Sequence, residues 1–176
     1  MSKFVIETYV LPEEQKLKEF SPPKLKPKAR DNLKELLELF SEAKSPYEPL
    51  FLSGTYRGFL RHSKFQRRLY LAVKRDVVIG MVSYGQMGVG FNTQGHLYDL
   101  FVKPTQPSQI EGELLRFAMD RAKETIPYHP LLRRSVTTTA PVRNDALNTF
   151  LRSQGFQLDI GGVHNENLYR LYLDAA

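Results

Sequence analysis

Polar and apolar positions along this chain repeat at two periods, and each change of period marks a new element. In Lys3–Leu11 (KFVIETYVL), Leu69–Lys74 and Val77–Tyr84 the spacing is that of strands, and Arg75-Asp76 joins the last two as a hairpin. Gly95–Val102 predicts a mostly buried strand, with Leu97, Phe101 and Val102 set among His96, Tyr98 and Asp99. Lys103-Pro104 ends it. From Gln109 the period turns helical for about sixteen residues, with Ile110, Leu114, Phe117, Ala118 and Ala122 on one side and Glu113, Arg116, Asp120 and Lys123 on the other. Ser135–Thr139 predicts a further strand, followed by a helix carrying Ala146, Leu147, Phe150 and Leu151 that stops at Gly155. Phe156–Ile160 and Asn167–Leu173 predict a closing antiparallel pair.

The N-terminal third allows two readings. Residues 1–23 are either an extension or, through Phe4–Val10, the first strand. In the former case the first strand is Lys24–Ala29, leading to a helix capped by Asp31 or Asn32 with Leu33, Leu36, Leu37 and Phe40 inward. Pro46 and Pro49 break that helix, and Leu50–Ser63 is ambiguous between loop and a short helix. Gly85, Gly88 and Gly90 lead from strand to strand and open no helix, so they read as a hairpin connection and not as a phosphate loop. At 176 residues the chain fits one domain, residues 24–176 with or without the first 23. The expected class is α/β (α+β), a mixed and mainly antiparallel sheet with helices on both faces.

Composition narrows the setting. A hydrophobic fraction of 41% beside 25% charged residues is that of a soluble globular protein, and no apolar run is long enough to span a membrane. Met1-Ser2-Lys3 opens no signal peptide, and the absence of cysteine excludes disulfides and thiol chemistry, so the expected compartment is the cytoplasm. His62, His96, His129 and His164 are scattered without metal-ligand spacing. The net charge is +6, and basic residues are dense in Lys24–Arg30 and in Arg57–Arg75, whose seven cations alternate with the aromatics Tyr56, Phe59, Phe65 and Tyr70 in and beside the segment. That combination suits an anionic partner such as nucleic acid or a phosphate-rich cofactor, and equally a solvated rim around core aromatics.

The run Asn144, Leu147, Phe150, Leu151, Gly155, Phe156 resembles the Asn-x-x-Ala-x-x-(Leu/Phe)-Tyr-x-x-x-Gly-Phe signature of the GCN5-related N-acetyltransferases, with leucine at the alanine and tyrosine positions. His96–Pro104 is similar to that superfamily's central strand, and Asp99-Leu100-Phe101-Val102 to the strand of its polyamine acetyltransferases. The resemblance implies a GNAT-like (acyl-CoA N-acyltransferase) fold. It also implies acetyl-CoA as cofactor and a small-molecule or protein amine as acceptor.

Under that resemblance the cofactor's pyrophosphate lies on backbone amides at the start of the helix from Gln109, with Gln106, Ser108, Gln109 and Gly112 around it. Gln106, Gln109 and Glu111 stand at the positions of the (Gln/Arg)-x-x-Gly-x-(Gly/Ala) pattern, and only Gln106 conforms. Ser108 and Glu111 also form a capping box that occupies the same amides, and Glu111 with Glu113 places negative charge where a diphosphate would sit. Backbone amides at Phe101 and Val102 are the expected oxyanion donors. Asp99 is the leading base, with a salt bridge as its other reading, and His96 and Tyr98 stand behind it. Leu151 cannot protonate the departing sulfur, which leaves Tyr98, Tyr128, Tyr169, Tyr172 or water. Asn144 either approaches the cofactor or caps its helix. The alternative is a protein of this fold that transfers nothing and binds an anionic ligand, nucleic acid or protein. Phe4–Val10 as an edge strand would allow a homodimer.

Overall fold

The computed structural model describes residues 4–10, 68–87, 93–103, 105–107, 109–163 and 165–174. Side chains at Tyr9, Val10, Met87, Tyr98 and Asp99 lie outside that description. Among the described residues nine elements follow in order: β1 (Val5–Val10), β2 (Arg68–Lys74), β3 (Val77–Met87), β4 (Gln94–Val102), α1 (Gln109–Thr125), β5 (Ser135–Pro141), α2 (Asp145–Ser153), β6 (Gln157–Val163) and β7 (Glu166–Tyr172). The strands form one seven-stranded sheet in the order β1-β2-β3-β4-β5-β7-β6. Every neighbouring pair is antiparallel except β4 and β5.

Local chemistry sets most of these boundaries. β2 and β3 turn at Arg75 and Asp76, both at positive φ (50° and 60°), as a two-residue hairpin matched to strand twist requires. α2 ends in a Schellman motif: Gly155 (φ 88°) donates its amide to Arg152 O at 3.0 Å, and Phe156 donates to Leu151 O at 3.1 Å. Leu151 and Phe156 are both buried beneath that turn.

α1 and α2 lie on the same face of the sheet. α1 brings Ile110, Leu114, Leu115, Ala118, Met119 and Ala122 against Tyr70, Ala72, Val82, Tyr84, Leu97 and Val102. Burial of each large aliphatic side chain here contributes about 1.5–3 kcal/mol. Tyr84 reaches the far end of α1, where its hydroxyl lies 3.3 Å from Thr125 Oγ1 and accepts from Gln86 Nε2 at 3.0 Å. Leu147 and Leu151 of α2 join the same core with Ala140 and Tyr169. On the opposite face Leu69, Leu71, Met81 and Phe101 are buried as well. The Lys24–Ala29 strand, its helix and Leu50–Ser63 lie outside the described residues. Among the described residues no helix is long and apolar enough to cross a membrane.

Candidate functional site

β4 and β5 meet and then part. Their parallel register holds only Gly95 with Val136 and His96 with Thr137, while β4 runs on to Val102 and β5 to Pro141. Two threonine hydroxyls reinforce the apex: Thr137 Oγ1 donates to Gly95 O at 3.3 Å and Thr138 Oγ1 to Leu97 O at 3.1 Å. Beyond them each strand keeps its outer partner, β3 or β7, and faces the other across a fork.

On the β3 side the register steps from Ser83–Tyr98 to Met81–Phe101, so Asp99-Leu100 bulges opposite Val82. The bulge shifts the phase of the strand. Leu97, Leu100 and Val102 join the helix-side core and Phe101 does not. Phe101 and Val102 are 1% and 2% exposed, so only their backbone can serve a ligand.

His96 sits at the apex, fully buried, with Nδ1 2.8 Å from Thr137 Oγ1. The same hydroxyl lies 3.3 Å from Gly95 O, so the ring is held at the apex through its Nδ1. Tyr98 and Asp99 are placed on β4 at the mouth of the fork by their backbone. Their expected roles as base fall on side chains outside the description.

The loop from β4 into α1 is drawn tight. Gln106 donates its amide to Lys103 O at 2.9 Å and Ile110 to Pro107 O at 3.1 Å. Gln109 is exposed at the first helical position, and Ser108 lies outside the described residues. Gly112 has open space beside it, since a Cβ there would meet nothing nearer than Gln154 Oε1 at 3.8 Å. Glu111, expected to place negative charge where a diphosphate would sit, is 5% exposed. Burial pushes its carboxyl up, against the pull of its own backbone amide.

α2 is built around amide side chains. Asn144 Oδ1 accepts from the Leu147 amide at 3.0 Å, so its observed role is the N-cap. Asn148 Nδ2 donates to Pro141 O and Asn144 O at 2.9 and 2.6 Å. Its Oδ1 accepts from Asn167 Nδ2 and Tyr169 Oη at 2.9 and 2.6 Å. This amide, which sequence reasoning missed, pins the end of β5 to α2 and β7.

It also commits the Tyr169 hydroxyl. Tyr172 lies opposite Ser135, at the closed end of the fork, and Tyr128 is near the Arg134 guanidinium that precedes β5. Neither is at the open mouth. Leu151 is fully buried and offers no proton to a site. Among the described residues no group of three or more histidines and carboxylates is placed to hold a metal. A shallow depression on the outer face of α2, lined by Asp145, Ala146, Thr149, Phe150 and Ser153, has no converging set of donors from a second element.

No protein-family model matches the sequence, and comparison with curated proteins finds no match. Solved structures do match. An N-acetyltransferase from Staphylococcus aureus Mu50 superposes with a TM-score of 0.57 at 15% identity, over 96% of this chain and 98% of that one. A putative acetyltransferase of the GNAT family from Desulfovibrio desulfuricans gives 0.55 at 18% identity, over 98% and 100%. An acyl-CoA N-acyltransferase from Pseudomonas aeruginosa gives 0.53 at 14%, over 94% and 99%. The fold is that of the GCN5-related N-acetyltransferases, as the resemblance implied.

Proposed function

We propose that this protein transfers an acetyl group from acetyl-CoA to an amine within the β4/β5 fork. One observation carries this reading: two parallel strands part after two registered pairs, leaving facing edges that no longer pair with each other. Backbone groups there require partners, and the amides of a pantetheine arm can supply them in the manner of an added strand. Of the two expected donors, the Val102 amide would stabilise the oxyanion as the amine nitrogen attacks the thioester carbonyl; Phe101 pairs with Met81 in the same ladder phase in which Lys103 donates to Ile79 O, which turns the Phe101 amide toward β3. The phosphates would lie toward the start of α1, near Gln106, Ser108, Gln109 and Gly112. Asp99 is the first candidate to take the proton of the ammonium acceptor, followed by Tyr98 and His96. With Leu151 in the core, the departing thiolate takes its proton from Tyr98 or water. The acceptor is a small-molecule or protein amine.

Calorimetric titration of acetyl-CoA and of CoA at low and moderate salt, followed by thiol release with a panel of polyamines and peptide amines, tests the proposal. Expected are micromolar binding that favours acetyl-CoA and amine-dependent release of thiol. A protein of this fold that only binds anions would show neither preference nor release. The buried Leu151 is the observation that favours that second reading.

A further inference from the structure

The first turn of α1 contains a buried acid without enough partners. Glu111 is 5% exposed, and its Oε2 has no hydrogen-bond partner among the described residues. Its carboxyl folds back on its own backbone amide. The first amides of a helix have no acceptor within it, and they are the groups that bind anions. In this helix the Ile110 amide is already committed to Pro107 O, and the Glu111 amide to the Glu111 carboxyl. A side-chain carboxyl therefore occupies one place that a phosphate oxygen would take.

We propose that Glu111 determines anion affinity at the start of α1: charged, it holds the anion seat itself; neutral, it yields the amide and offers its own O–H to an incoming phosphate oxygen. A buried polar group without a partner is costly, and a phosphate oxygen would relieve that cost at Oε2.

The surroundings leave burial in control. Ionisable residues on the elements packed against α1 are Arg68, Tyr70 and Lys74 on β2, Tyr84 on β3, His96, Tyr98 and Asp99 on β4, and Lys103 beyond it. α1 itself carries Glu113 and Arg116 nearby, and α2 carries Arg152. Burial is the largest influence on the Glu111 carboxyl, and the one opposing influence is its own amide. Protonation of one group tightens anion binding by up to about tenfold per pH unit over the range in which it titrates. Applied to CoA, the inference rests on the acetyl-transfer reading; inorganic pyrophosphate probes the seat without it.

The test is calorimetry of CoA and of pyrophosphate with the wild type and Glu111→Gln, from about pH 8 down to about pH 5.5. Phosphate groups titrate in the same window, equally for both proteins, so the ratio between them isolates Glu111. The expected result is that Glu111→Gln binds at least severalfold tighter at the upper end, with the ratio falling as the pH drops. CoA binding that is indifferent to Glu111 and to pH beyond the ligand's own titration overturns the inference and leaves acetyl transfer standing. Pyrophosphate bound more tightly by the variant, with CoA bound by neither protein, upholds the inference and removes the acetyl-transfer reading. Binding of neither probe to either protein overturns both.

Discussion

Gly95 is where the fork closes, and replacing it with alanine tests the packing there. A Cβ at Gly95 would lie 2.9 Å from Tyr84 Cε2, 2.9 Å from Val136 Cγ2 and 3.3 Å from Ile126 Cδ1. Ile126 can swing its terminal methyl aside. Tyr84 is less free, because its hydroxyl is engaged by Gln86 and faces Thr125 at the end of α1. Val136 is the residue that registers with Gly95, and a β-branched side chain has little rotamer freedom. Overpacking of this kind costs about 1–3 kcal/mol, offset by roughly 0.4–1 kcal/mol because alanine restricts the unfolded chain. The net loss of about 1–2 kcal/mol lowers Tm by roughly 2–8 °C for a chain of this size. Thermal and denaturant unfolding of Gly95→Ala beside Gly161→Ala gives the assay. A Cβ at Gly161 meets only Leu158 Cδ2 at 3.6 Å and Asn167 Oδ1 at 3.7 Å, which is ordinary contact. If Gly95→Ala unfolds at or above the wild-type temperature, the close packing of the apex described here is wrong.

Three further outcomes follow from the same geometry. Gly112→Ala, in the open first turn of α1, should raise stability by about 0.5–1 kcal/mol and weaken CoA binding, because a phosphate would approach that backbone; tighter binding would remove Gly112 from the site. Leu151→Tyr should not supply the missing acid, since position 151 is fully buried; expected are a loss of about 1–3 kcal/mol in a denaturant titration and no gain in thiol release. Arg134 grips Asp174 through Nε and Nη2, at 3.0 Å and 2.5 Å from Oδ1, and these hydrogen bonds hold the Asp174 carboxyl below its ordinary 3.8. A lowered carboxyl pKa stabilises above the unfolded value and loses that contribution as pH falls through the folded one, so Asp174→Asn should flatten the acid limb of a Tm–pH profile and leave its slope above about pH 6 unchanged.

What was legible in the sequence was local. The hairpin at Arg75-Asp76, the stop at Gly155 and the extent of α1 depend on a few neighbouring residues, and the structure has each of them. The insertion of β7 between β5 and β6 is a matter of long-range pairing, which the closing antiparallel pair alone does not specify. The Asp99-Leu100 bulge did leave a trace, since Leu97, Leu100 and Val102 break strict alternation. Glu111 left one too: it lies four residues before Leu115 and shares the buried stripe, although its charge suggested solvent. Thr137, Thr138 and Asn148 carried no such signal. Their partners are Gly95, Leu97, Asn167 and Tyr169, and only folding brings those residues together.

Amide chemical-shift mapping of an acetyl-CoA titration is the most direct test of the central claim that the fork is the cofactor site. The expected result is saturable shifts concentrated in residues 98–102 of β4, residues 138–140 of β5 and residues 109–112 of α1, with β6 unmoved. Shifts confined to other strands, or none at saturating acetyl-CoA, would contradict it.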